Sequence, residues 1–362
     1  MPRSHGMTRA AAAVLAVAAT ALGTAGPAAA RLDAPPAAAA GGATCPPSAT
    51  LVSWSDALDG VSLGGAALGG LSSLAWDRVG GRWASAVDRQ SGQPERVWFF
   101  DDLATPAPTG PPLVLRRADG VPFTGADADD EGLTVLPDGS YVVSSETEPS
   151  VRRFDRSGRL VARLPVPARF LVQPAGQATA NATLEGLTSS RDGTRIVAAM
   201  EGTLAGDSGG RYRRFLQYDV GPGGWALTRQ VGYRVDTGFR VPEVASYGAN
   251  GLLVLESMVD GGGRHLRLYR VSLANAVDVS REPDLAATGD VVAKVLVADL
   301  DQCPPSGAPG DGNAGNPLLA NVEGMGVYGP VTNGVLDLGL VSDDDSSAAQ
   351  RTRVLHLRVR VG

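Results

Sequence analysis

Acidic residues recur along this chain in five related units, at places where carboxylates could gather. Short apolar runs open with Glu131-Gly132-Leu133, Glu185-Gly186-Leu187, Glu243-Val244-Ala245 and Glu323-Gly324-Met325, and a fifth, related run reads Gly70-Leu71-Ser72-Ser73-Leu74. Each is followed by a second run that ends in an acid: Asp88, Glu146, Glu201, Glu256 and Asp343, with Asp344 beside the last. If each pair of runs is an antiparallel hairpin, the start of the first strand and the end of the second lie at one edge. All nine acids then share one face. Like charges about 4 Å apart repel by roughly 4 kcal/mol at a protein surface, so such a group requires bound cations, arginine partners or retained protons. Oxygen-only ligands without His or Cys favour calcium or magnesium over zinc. The reading takes Glu131, Glu146, Glu185, Glu201, Glu243, Glu256, Glu323, Asp343 and Asp344 as candidate metal ligands, and Glu131, Glu185, Glu323 and Asp343 as the catalytic set. The competing structural reading has the glutamates capping backbone amides and pairing with arginine. Basic residues near the third runs supply candidate phosphate clamps at Arg153 and Arg214, with Lys294 beyond them.

The elements that must position these acids are strands. No stretch keeps a helical apolar period for three turns, whereas short Val-, Leu-, Tyr- and Phe-rich runs alternate with turn dipeptides such as Asp138-Gly139, Asp192-Gly193 and Asn333-Gly334. Second strands read WASAVD, YVVSSE, IVAAME, LLVLE and GLVSDD, and a third strand follows each. Fourth strands follow in four units. The last unit lacks one, and Thr50-Leu51-Val52-Ser53-Trp54 can supply it from the other end of the chain. The expected fold is therefore an all-β propeller of five blades, closed by an N-terminal strand, which removes the sheet edge. The long span from Glu243 to Glu323 leaves six blades as the alternative. Glycine after three of the repeat glutamates is expected where inner strands crowd the channel.

Residues 1–30 have the pattern of an export signal: Arg3 and Arg9, an apolar run from Ala10 to Gly23, and Ala28-Ala29-Ala30. The apolar run is shorter than the roughly 20 residues that span a bilayer. Residues 31–48 read as a disordered Pro/Ala/Gly-rich lead-in, and 49–362 as a single domain. An extracytoplasmic location, secreted or in the cell envelope, follows. Cys45 and Cys303 are the two cysteines of the chain, and an isolated pair in an oxidising compartment is expected to bond. Acidic residues outnumber basic ones, 38 to 32, which argues against a nucleic-acid partner. A monomer acting on a small phosphorylated or ester substrate, with no organic cofactor, is expected. Gly206-Asp207-Ser208-Gly209-Gly210 has the look of an active-serine segment, but the histidine upstream of it is His5, within the signal. The alternative hydrolase reading of that segment needs βαβ units, and none is visible. His265 and His356 fall inside third-strand patterns and read as packing residues.

With these motifs in view, the chain resembles the phytase-like propeller family (esterase-like activity of phytase). The resemblance rests on DDEGLTVLPDGSYVVSSETEPSVRRFDRSGRLVARLPVP, LEGLTSSRDGTRIVAAMEGTL and NVEGMGVYGP with the later LVSDDDS, and covers residues 65–362. It implies a propeller, export, and phosphoesterase chemistry resting on Glu131, Glu146, Glu185, Glu201, Glu323, Asp343 and Asp344. The sequence departs from the pattern at Ser72-Ser73 and at Glu243-Val244-Ala245. Calcium-dependent hydrolysis of a phosphoester is the leading expectation. A calcium-dependent lactonase or carboxylesterase, and a non-catalytic binding or scaffold propeller of the envelope, are the alternatives.

Overall fold

The computed structural model describes residues 39–88, 90, 92–311 and 314–362. The leader expected over residues 1–30 lies outside them. The described chain forms five antiparallel sheets of four or five strands, together with one short hairpin. Inner strands are Ala75–Asp77, Asp130–Val135, Leu184–Ser189, Arg240–Tyr247 and Asn321–Thr332 for blades I to V. In blades I to IV the chain then steps outward strand by strand, each sheet following sequence order.

Hairpin turns set these registers. In blade II, Gly139 takes φ +81° in the Asp138-Gly139 turn, a conformation L-residues disfavour, and Leu136 and Ser140 pair across it. Second and third strands such as Tyr141–Ser145 and Arg96–Phe100 are wholly buried. The outer strand Leu160–Leu164 alternates toward solvent. Blades therefore pack face to face, and the apolar side chains separate into five layers. Phe99 and Val97 meet Tyr141 and Val143 between blades I and II. Val142 and Val151 meet Ile196 and Leu216 between II and III. Phe215 and Val231 meet Val244 and Val254 between III and IV. Leu255 and Leu268 meet Leu340 and Leu357 between IV and V. Trp98 and Leu71 meet Val341 and Val354 between V and I. Five interfaces for five blades close the ring.

The stretch between Glu243 and Glu323 holds the rest of blade IV, a short helix Leu285–Thr288 and a connecting loop, not a sixth blade. Closure comes from Ala49–Ser55, which pairs with Val354–Arg360 as the fourth strand of blade V. Part of the segment read as a structureless lead-in is a strand: Ala39–Cys45 pairs with Ala49–Ser55 as a fifth strand. Its partner edge and its covalent anchor account for the difference, because Cys45 is bonded to Cys303 beyond the outer strand of blade IV. The composition of 31–48 carried neither signal. Among the described residues, no helix is long and apolar enough to cross a membrane.

Candidate metal and active site at the acidic mouth

The repeat glutamates are aimed by β-bulges. In blade II, Leu133 pairs with Val143 and Asp130 with Ser145, so Glu131 and Gly132 together oppose Ser144. In blade III, Glu185 and Gly186 oppose Ala199 in the same way. In blade V the extra residue lies between Val322 and Gly324, at Glu323. A bulge turns a side chain out of the regular alternation, and here it turns the carboxylate toward the channel. The glycine is required by the neighbouring blade. A Cβ on Gly132 would collide with the Glu185 carbonyl oxygen and Leu187, and one on Gly324 with the Ser73 backbone.

Blade IV breaks this pattern. Arg240 pairs with Ser257 and Glu243 with Leu255, so the bulge falls earlier, at Val241-Pro242. Proline cannot donate to the ladder and sits where pairing is already interrupted. Glu243, Val244 and Ala245 then pair regularly, and the Glu243 carboxylate turns into the wall between blades. There it accepts hydrogen bonds from Leu187 N (2.7 Å) and Val244 N (2.9 Å). Blade IV instead contributes Arg240 to the mouth.

The mouth is a cavity of about 300 Å³ lined by Asp88, Glu131, Glu146, Glu185, Glu201, Glu323, Asp343 and Asp345, with Arg240 and two asparagines. Carboxylate oxygens of Glu131, Glu185 and Glu323, from three blades, all lie within 4.8 Å of one another. So do those of Asp88, Asp129 and Glu131, making Glu131 common to both groups. Arg240 contacts Glu201, Glu323 (3.0 Å) and Glu185 (3.9 Å). Ser72, standing where the first unit lacks a glutamate, donates its hydroxyl to Glu131.

Among the described residues, eight carboxylates share this mouth with one guanidinium, and the acid strengths reflect the crowding. Burial, then Asp88, Glu146 and Glu323, push Glu131 well above the usual carboxylate range. Burial followed by Glu131 and Glu201 does the same to Glu185, and burial with Glu323 and Asp88 to Asp343. Glu323 is raised by burial against the pull of Arg240. Glu146 is raised to about 8, burial outweighing the Thr183 N–H it accepts. Burial works against the charge of Arg240, yet Glu201, Glu323 and Glu185 hold it above its ordinary value. An oxygen-only set of this density is the donor chemistry of a hard divalent cation such as Ca²⁺.

Of the residues singled out in the sequence, Glu131, Glu146, Glu185, Glu201, Glu323 and Asp343 meet at this mouth, joined by Asp88. The others are placed elsewhere. Glu243 is the buried cap described above. Glu256 takes the Tyr233 hydroxyl, the Asp236 N–H and Lys294, within blade IV. Asp344 accepts from Gly70 N (2.9 Å) and Thr352 Oγ1 (2.9 Å), stitching blade V to the segment ahead of blade I. None of the three candidate clamps lines the mouth. Arg153 pairs with Asp138 at a turn (2.5 Å), and Lys294 is engaged by Asp236 (2.8 Å) and Glu256. Arg214 is fully buried in a bidentate pair with Asp207 (both 2.7 Å) and also donates to the carbonyls of Val279 and Glu282. This accounts for the segment resembling an active-serine motif. Asp207 anchors Arg214, and Ser208 Oγ donates to Asp284, the cap of the short helix. Its residues hold loops together.

A family model described as phytase-like, esterase-like activity of phytase, matches residues 66–346. The chain belongs to the phytase-like family. A curated relative of the phytase-like chain, an uncharacterized secreted protein of Arthroderma benhamiae, is 27% identical over 157 residues. That match spans 34% of this chain and 31% of the relative. Solved structures similar to this phytase-like propeller include a PQQ-bound aldose sugar dehydrogenase from Streptomyces coelicolor, at 13% identity and TM-score 0.38, covering 81% of this chain and 95% of that one. A periplasmic gluconolactonase of Pseudomonas aeruginosa is 12% identical, with TM-score 0.35, covering 82% and 87% of the two chains.

Proposed function

We propose that this chain is an exported hydrolase of phosphate esters, working at the acidic mouth with Ca²⁺ held by Glu131, Glu185 and Glu323 and, on the other side of Glu131, by Asp88 and Asp129. The observation that carries the reading is the convergence of three glutamates from three blades within 4.8 Å of one another. A bound cation would supply Lewis acidity and ease deprotonation of water. The chain's own residues do the rest. Among the described residues Arg240 is the one cation of the mouth, and its fork suits two oxygens of a phosphoryl group. Asp343, whose carboxylate faces the same mouth, takes the proton of the attacking water. Glu146, at about 8, retains a proton near neutrality and gives it to the leaving alcohol oxygen as the P–O bond breaks. Ser72 fixes the Glu131 carboxylate by its hydrogen bond. Export is supported by the N-terminal apolar pattern.

One observation favours a second, non-catalytic reading: Arg240 ties Glu185, Glu201 and Glu323 together, as a purely structural bridge between blades would. Assays of the purified protein with phosphomonoesters, phosphodiesters and lactones, with Ca²⁺ or EDTA, separate the two. Calcium-dependent phosphoester turnover, lost in Glu131→Ala/Glu185→Ala, is expected. No turnover above that control on any phosphoester rejects the phosphoesterase reading.

A further inference from the structure

The channel has a second end. Leu133, Leu187, Ala245 and Met325 from four inner strands, with Leu74 just ahead of the inner strand of blade I, are all buried and floor a separate cavity of about 270 Å³. Among the described residues, no carboxylate lines it. Its walls are the far halves of the inner strands, with Trp76 and Tyr247 as aromatic surfaces. In the long inner strand of blade V, the irregularity between Tyr328 and Thr332 contributes Gly329, Pro330 and Val331 as a lip. Trp76 is braced edge-on against Trp83 and Tyr328, with centroids 5.4 and 4.8 Å away, so its orientation is preset.

Two arginines also line this cavity. Arg78, from the turn after the inner strand of blade I, reaches past blade II to donate to the carbonyl oxygen of Arg191 (2.7 Å) in blade III. Among the described ion pairs, neither guanidinium has a carboxylate partner. Burial and the neighbouring Arg191 both work against the charge of Arg78. Two like charges held together beside an apolar pocket are relieved by an anion, as the acids at the opposite mouth are by a cation. A concave, mainly apolar site with a few convergent polar groups has the general form of a small-ligand site.

We propose that this cavity binds a small aromatic anion, its ring system between Trp76 and Tyr247 and its acidic head, a carboxylate or an equivalent oxyanion, at Arg78 and Arg191. The site is independent of the acidic mouth, from which the apolar floor separates it. The ligand's charge is what the two arginines select, and its flat apolar body is what the aromatic walls select.

The test is calorimetric titration of the mature protein with 2-naphthoate and with its uncharged amide, 2-naphthamide. Saturable one-to-one binding of naphthoate is expected, with the amide about tenfold weaker or worse. Arg78→Gln/Arg191→Gln, both exposed positions, is expected to weaken naphthoate about tenfold and leave the amide unchanged. Trp76→Phe keeps an aromatic brace and is expected to weaken both ligands. Binding in Glu131→Gln/Glu185→Gln should match wild type. The proposal is overturned by absence of saturable naphthoate binding, by indifference to the arginine substitutions, or by loss of binding when the acidic mouth is altered.

Discussion

Glu131 and Glu243 occupy the same position in the repeat yet have opposite tasks. Glu131 shares the mouth with seven other carboxylates, whereas Glu243 accepts two backbone N–H groups inside a blade interface. Replacing Glu243 by Ala leaves the buried Leu187 N–H without its acceptor. The expected cost is about 1–3 kcal/mol, read by urea unfolding, with calcium affinity unchanged. Arg240→Met removes the guanidinium that pairs with Glu185, Glu201 and Glu323. Thermal unfolding in EDTA should then shift down by about 2–4 °C, with Ca²⁺ recovering most of the loss. A variant with an unshifted melting temperature in EDTA would show that Arg240 does not compensate these acids. The recurrence of acids was legible because it needs only the strand pairing. The identity of the cation was not. Arg240 lies three residues before its glutamate and becomes a mouth residue only because Val241-Pro242, rather than Glu243-Val244, forms the bulge. Arg153, Arg214 and Lys294 were selected for charge and proximity to third strands, and each is claimed by an acid of its own blade or loop: Asp138, Asp207, and Asp236 with Glu256.

At the scale of the strand, the Glu-Gly bulge is the device that converts a sheet edge into a site. It needs a residue without a side chain because the adjacent inner strand approaches too closely for a Cβ: one on Gly132 would strike the Glu185 carbonyl oxygen, and one on Gly186 would come within 2.9 Å of the Glu243 Cα. Gly132→Ala is expected to destabilise by about 1–3 kcal/mol through overpacking and to weaken calcium binding by displacing Glu131. Circular dichroism melts and metal titration on the one variant check both. That glycine pattern could be read from the sequence. The position of the bulge in blade IV could not, since nothing local distinguishes a proline that ends a strand from one that interrupts it. The strand Ala39–Cys45 was missed for a related reason. Its pairing comes from ring closure and from the bond to Cys303, both of which are remote in sequence.

At the scale of the whole molecule, five interblade layers carry the fold, and the mouth works against it. Carboxyls with raised proton affinity bind protons in the folded state that they release in the unfolded chain, so the mouth's contribution to stability is greatest at low pH and declines as pH rises. For the cation-free protein the decline should run from about pH 4.5, where exposed glutamates titrate, through about 8, where Glu146 does. Melting temperatures in EDTA should therefore fall between pH 5.5 and 8, and saturating Ca²⁺ should flatten the profile. A flat profile in EDTA would contradict the clustered-acid picture. Removing the covalent link with Cys45→Ser/Cys303→Ser is expected to cost about 2–4 kcal/mol, because it frees a loop spanning 258 residues. Unfolding of that variant and wild type under identical conditions measures it.

All of the proposed chemistry depends on carboxylates of separate blades being held together for a divalent cation. The most direct measurement is calorimetric titration of Ca²⁺ into chelator-stripped protein near pH 7, in two buffers of different ionisation enthalpy, for wild type and Glu131→Gln/Glu185→Gln. Saturable binding with proton release is expected for wild type, since the mouth must give up its retained protons to the metal, and neither is expected for the variant. No calcium binding by wild type, or binding of equal strength in the variant, would contradict the account.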